Sequence, residues 1–88
     1  MKAVEGIPRD LRWRSRRGMR ELDMLLSRWL EQRWPEATSE LRTAYPLLLD
    51  CEDDDLWDWL LGRSDPESPA LQALVRDIRG VNGRAEPD

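Results

Sequence analysis

Residues 20–34 read Arg20-Glu21-Leu22-Asp23-Met24-Leu25-Leu26-Ser27-Arg28-Trp29-Leu30-Glu31-Gln32-Arg33-Trp34, and this stretch decides the fold. Leu22, Leu25, Leu26, Trp29 and Leu30 fall at i, i+3, i+4, i+7 and i+8, which gathers them on one face of an α-helix and leaves the charged residues on the other. A strand would need strict alternation instead. Pro35 disfavours the helical region at the residue before it, so the spacing predicts a helix that stops near Trp34.

The same period recurs on both sides of this segment. Upstream of Gly18, a short helix opens with Pro8 in its first turn and runs to about Arg16, presenting Leu11 and Trp13 on an arginine-rich cylinder. Downstream, Thr38 or Ser39 can cap a third helix carrying Leu41, Ala44, Tyr45, Leu48 and Leu49. Pro46 lies inside that helix, costs it a backbone hydrogen bond and predicts a kink near residues 42–45. Asp53, Asp54 and Asp55 suit the positive end of a fourth helix, which turns Leu56, Trp57, Leu60 and Leu61 inward and stops at Gly62. Ser68 and Pro69 begin a fifth, with Leu71, Leu74, Val75 and Ile78 facing the core and Gly80 ending the run.

β-Branched residues are scarce and no internal repeat occurs, so the fold class is all-α, a compact bundle of five short helices joined by connections of a few residues. A chain of 88 residues makes one domain, residues 1–88, with an ordered core of about 7–79 and flexible ends at Met1 to Gly6 and roughly Gly80 to Asp88. Apolar residues form 40% of the chain and charged residues 36%, a mixture that fits neither disorder nor a membrane-spanning segment. Residues 1–9 lack the apolar stretch and cleavage site of a secretory signal, and the single Cys51 can form no internal disulfide; a reducing cytoplasm is the expected setting.

The chain contains no histidine, which removes the commonest general base and zinc ligand, and one cysteine cannot make a sulfur cluster for a metal. We therefore expect no enzyme, no catalytic residue, no metal and no stably bound cofactor. Acidic residues outnumber basic ones 18 to 14, for a net charge of −4, which speaks against nucleic-acid binding. The charge is segregated: Arg9, Arg12, Arg14, Arg16, Arg17 and Arg20 face one acid, Asp10, whereas the segment from Asp50 to Asp58 holds six acids and no base. Cys51, among acids, sits where a thiol loses reactivity, and we read it as structural. The acidic run lacks the glycine and distal glutamate of an EF-hand loop.

The string Arg16-Arg17-Gly18-Met19-Arg20-Glu21-Leu22-Asp23 admits two readings. Gly18 can be a turn glycine with positive φ, followed by acids suited to a helix start. It can equally let a partner's backbone approach, with Arg17, Arg20 and Glu21 exposed for docking. Composition does not choose. Trp29 and Trp57 lie on apolar faces and are core candidates, whereas Trp59 falls off the stripe and either closes the bundle or anchors a partner.

Arg17-Gly18-Met19-Arg20-Glu21-Leu22-Asp23 resembles the Arg-Gly-x-x-Glu signature of the bacterial SdhE (YgfY, CptB) family. Its members are FAD assembly factors of succinate dehydrogenase, related to mitochondrial succinate dehydrogenase assembly factor two. The segment from Leu48 to Leu60, Leu-Leu-Asp-Cys-Glu-Asp-Asp-Asp-Leu-Trp-Asp-Trp-Leu, resembles the family's second motif, an acidic turn followed by Asp-x-x-Leu-x-x-Trp-Leu. Trp29 and Trp34 also match, and the resemblance spans about Leu11 to Ile78. Pro46 departs from the family's regular third helix.

The resemblance implies a five-helix chaperone that binds the flavoprotein subunit of succinate dehydrogenase, and of fumarate reductase where present, and promotes covalent attachment of FAD to a histidine of that subunit. It implies partner-binding roles for Arg17, Gly18 and Glu21, with Met19, Arg20 and Asp23 as neighbours, and we add Trp59 as a candidate anchor. The expected partner set excludes nucleic acid and membrane insertion, and the chain is expected to be a monomer. A rival reading, also attached to this family, is an antitoxin-like regulatory module acting with a small membrane protein.

Overall fold

The computed structural model describes residues 6–83 and contains five α-helices: α1 (Arg9–Arg14), α2 (Arg20–Arg33), α3 (Ser39–Leu49), α4 (Asp53–Leu61) and α5 (Pro69–Gly83). A 3₁₀ turn at Trp34–Glu36 follows α2, where Pro35 supplies a fixed φ at the tight bend. α5 is the hub and lies against α2, α3 and α4. The expected all-α bundle of five helices is the observed fold.

Local signals account for most boundaries. The Thr38 hydroxyl accepts the Leu41 amide at 3.2 Å and caps α3. Gly62 ends α4 at φ +83°, and the Arg63 amide closes back on the Asp58 carbonyl at 2.9 Å. α3 continues through Pro46 to Leu49.

Two expectations need correction. Gly80 does not end α5, which runs to Gly83. The Asn82 amide donates to the Leu25 carbonyl at 3.2 Å and the Ile78 carbonyl at 2.9 Å, so contacts with α2 hold the last turn despite glycine's poor helix propensity. Leu61 is 44% exposed, because the buried face of α4 repeats from Leu56 to Leu60 and the next residue turns toward water. Trp13, whose place the sequence leaves open, is 69% exposed and lies outside the core. The expected flexible segments fall mostly on residues 1–5 and 84–88, which lie outside the described residues.

Leu22, Leu26, Leu30, Leu48, Leu56, Leu74 and Ile78 fill the centre around Trp29, all with at most 1% exposure. Trp29 stacks on Tyr45 at 4.9 Å between ring centroids, and Trp34 meets both edge-on at 6.1 and 6.3 Å. Their polar atoms are paired. Trp29 Nε1 donates to Asp77 at 2.7 Å, and Trp34 Nε1 to the Gly6 carbonyl at 2.9 Å. Buried Ser15 donates to the Leu11 carbonyl at 2.7 Å, which leaves Tyr45 as donor to Ser15 Oγ at 2.7 Å. Burial raises the Tyr45 phenol above its ordinary value, so it stays protonated.

Candidate functional site

The turn between α1 and α2 is built from both of its ends. Ser15 closes α1, and Met19 opens α2 in an extended conformation without side-chain capping. Between them Gly18 has φ +90°, a conformation that L side chains rarely adopt, while a Cβ there would meet nothing within 4 Å. Glycine is therefore required by the backbone and not by any neighbour among the described residues, which leave its outer face open.

Asp23 reaches back from α2 to hold this turn. Its carboxylate accepts the Arg17 amide at 2.6 Å and the Gly18 amide at 3.3 Å, two donors that the turn would otherwise leave unpaired. Asp23 thus has an internal role.

Arg17 is where the structure departs most from the sequence-level picture. Its side chain is only 15% exposed and faces inward, not into solvent. Nε donates to Asp53 at 2.7 Å, Nη1 to the Leu49 carbonyl at 2.9 Å and the Arg14 carbonyl at 3.2 Å, and Nη2 to the Cys51 carbonyl at 2.9 Å. The Leu49 carbonyl at the end of α3 carries the negative pole of that helix, and a planar five-donor fork can reach it, the Cys51 carbonyl just beyond and the α4 carboxylate together. Arg14 reinforces the link through Asp50 and the Pro46 carbonyl. The two sequence motifs, far apart in the chain, form one structural unit.

What remains free is a compact outer surface. Arg20 and Glu21 are exposed, on the first turn of α2, and have no side-chain partner among the described residues. Met19 is half-buried against the core. Gly18, Arg20 and Glu21 together offer an accessible backbone, a forked donor and a carboxylate on a turn that Asp23 and Arg17 immobilise. Trp59, on α4, is half-buried and packs against the core, and Trp57 does the same.

Cys51 is half-buried beneath this unit. Burial, with Asp55 and Asp50 nearby, raises its thiol above the ordinary value despite the opposing Arg17 charge, which leaves it a poor nucleophile. Among the described residues no group of His, Cys, Asp and Glu could hold a metal, and no helix is long and apolar enough to cross a membrane.

Sequence reasoning placed the turn and its glycine but missed the Arg17 clamp, and it left Trp13 open. The segregated charges were the available signal for the clamp, since Arg14 and Arg17 pair with Asp50 and Asp53 across the two segments.

Comparison with known proteins places these features in context. A family model described as flavinator of succinate dehydrogenase matches residues 9–82. The chain is 49% identical over 71 residues to the FAD assembly factor SdhE of Xylella fastidiosa (strain 9a5c), covering 81% of this chain and 73% of the relative. It is 44% identical over 75 residues to the protein of the same name in Methylococcus capsulatus, covering 85% and 90%. With the protein of that name in Pseudomonas aeruginosa the identity is 40% over 78 residues, 89% of each. No solved structure matches the chain.

Proposed function

The chain belongs to the family of flavinators of succinate dehydrogenase, and on that premise we propose that it is a cytoplasmic assembly chaperone for the flavoprotein subunit of succinate dehydrogenase, and of fumarate reductase where present. It promotes covalent attachment of FAD to that subunit while retaining no FAD of its own. The bond-making groups belong to the client and the flavin. A chain without histidine cannot supply the imidazole that bonds the flavin, nor a histidine base to activate one.

The observation that carries this reading is the immobilised turn. Docking surfaces bind well when they are ordered before contact, because little conformational freedom is then lost. Arg17 ties the turn to α3 and α4, Asp23 ties it to α2, and Gly18, Arg20 and Glu21 are left for the client. The chain acts by binding one conformation of the client better than others. A preference of about 3 kcal/mol raises the population of a rarely visited, reaction-ready arrangement about a hundredfold. The chain acts as a monomer and turns nothing over by itself.

The test is direct. Purified chain, apo-flavoprotein from the same organism and FAD are mixed, and covalent flavin is followed by in-gel fluorescence. The chain should accelerate labelling and bind the flavoprotein in a pull-down. Unchanged labelling and no complex would refute the reading.

A further inference from the structure

α1 and α2 leave a seam open. Arg9, Arg12, Trp13 and Arg16 recur at i, i+3, i+4 and i+7, the period that elsewhere in this chain carries leucines into the core. Here it carries three guanidinium groups and an indole that is 69% exposed. Opposite them, α2 presents Leu30 and Glu31, and the two faces border a solvent-open groove of about 440 Å³ with buried Leu30 among its lining residues.

The arginines of α1 and of the turn that follows it divide between two faces. Arg14 and the following Arg17 turn toward α3 and α4, where they meet Asp50 and Asp53, whereas Arg9, Arg12 and Arg16 turn to the groove. Among the described residues Arg9 and Arg16 form no ion pair. Arg12 has only Glu31 at 3.8 Å, with both side chains about half exposed (44% and 54%), a pair that contributes little. An exposed tryptophan flanked by unpaired arginines is the composition of an interface centre, since these two residue types dominate binding energy where water is excluded. For the isolated bundle it is unfavourable, because most of the indole's apolar area stays in water.

We propose that this groove is a docking site for an acidic segment of a partner polypeptide, whose apolar side chain seats on Trp13 while its carboxylates pair with Arg9 and Arg16. Charge complementarity selects this occupant. The guanidinium walls disfavour a wholly apolar helix, and the net charge of −4, with six acids between Asp50 and Asp58, repels a nucleic acid extending beyond the groove. Arg16 immediately precedes Arg17 and Gly18, so a client resting on the turn reaches the groove without a second binding event. The inference rests on the proposed function and adds a second, electrostatic contact to it.

The experiment measures the affinity of the full chain for the apo-flavoprotein of succinate dehydrogenase, for wild type, Trp13→Ala and the double variant Arg9→Glu/Arg16→Glu. Because these side chains are exposed, both variants should keep wild-type helicity and unfolding midpoint. Trp13→Ala should weaken binding about tenfold or more, a typical loss for a central interface aromatic. The charge reversal should weaken it further, with the loss shrinking as salt is raised. Wild-type binding with both variants equally tight would overturn the groove while leaving the proposed function intact. Failure of wild type to bind would overturn both. Trp13-dependent binding of ADP by the isolated chain would overturn the assignment to a polypeptide.

Discussion

Arg17 Nε lies 2.7 Å from Asp53 Oδ1, so the residue that opens the Arg-Gly-x-x-Glu turn is bonded to the first residue of α4, 36 positions later. The same guanidinium also donates to the Leu49 carbonyl at the end of α3 and to the Cys51 carbonyl just beyond it. A side chain that a docking motif would be expected to offer to a partner is instead the bolt that ties the turn to α3 and α4.

Replacing that bolt should therefore destabilise the fold before it affects any interface. Arg17→Ala removes four hydrogen bonds and strands the partly buried Asp53 carboxylate, and should lower the unfolding free energy by about 2 kcal/mol. Arg17→Lys should recover less than half of this, because an ammonium cannot span the same acceptors. Urea denaturation checks both, and a wild-type midpoint in Arg17→Ala would show that the clamp contributes nothing.

Gly18 separates folding from docking. Asparagine tolerates positive φ better than most residues, and no neighbour lies within 4 Å, so Gly18→Asn should lose no more than about 1 kcal/mol of stability. Its side chain would nonetheless occupy the open outer face, and acceleration of flavinylation should fall about tenfold or more, equivalent to about 1.4 kcal/mol of docking energy. Full acceleration by a folded Gly18→Asn would remove the close-approach role from this residue.

Asp77 should give the fold part of its acid sensitivity. Partial burial opposes its charge, but hydrogen bonds from Arg33 and Trp29, with the Arg33 charge, outweigh this and hold its carboxyl below the usual range. A depressed folded-state pKa stabilises the protein above the unfolded value, about 3.9, and that contribution disappears as pH falls through the folded value. Wild type should thus exceed Asp77→Asn in stability at neutral pH, with the gap closing below about pH 4. Paired denaturation curves measure it; a gap independent of pH would assign the difference to shape alone.

Gly80 lies within α5, and a Cβ there meets nothing within 4 Å. Gly80→Ala should stabilise the protein by about 0.5–1 kcal/mol, through helix propensity and a less flexible unfolded chain. A lowered melting temperature would contradict a helix that continues through this residue.

The helices themselves were legible in local sequence. The period of Leu22, Leu26, Trp29 and Leu30, the Thr38 cap, the acidic start of α4 and the Gly62 stop each act within one or two turns, so residues near in sequence suffice to specify them. The turn between α1 and α2 was legible as a glycine between arginines, and its φ of +90° follows from the same local chemistry.

Side-chain destinations were not legible, because they depend on atoms far along the chain. Whether Arg17 points out or in is decided by Leu49 and Cys51 carbonyls 32 and 34 residues away. Whether Gly80 stops α5 is decided by Asn82 reaching Leu25, 57 residues back, and whether Trp13 is core or surface by the seam that α2 leaves beside α1. Short-range periodicity selects helices because backbone hydrogen bonds close over four residues; the fate of a polar or aromatic side chain is set only when packing brings distant acceptors and surfaces to it.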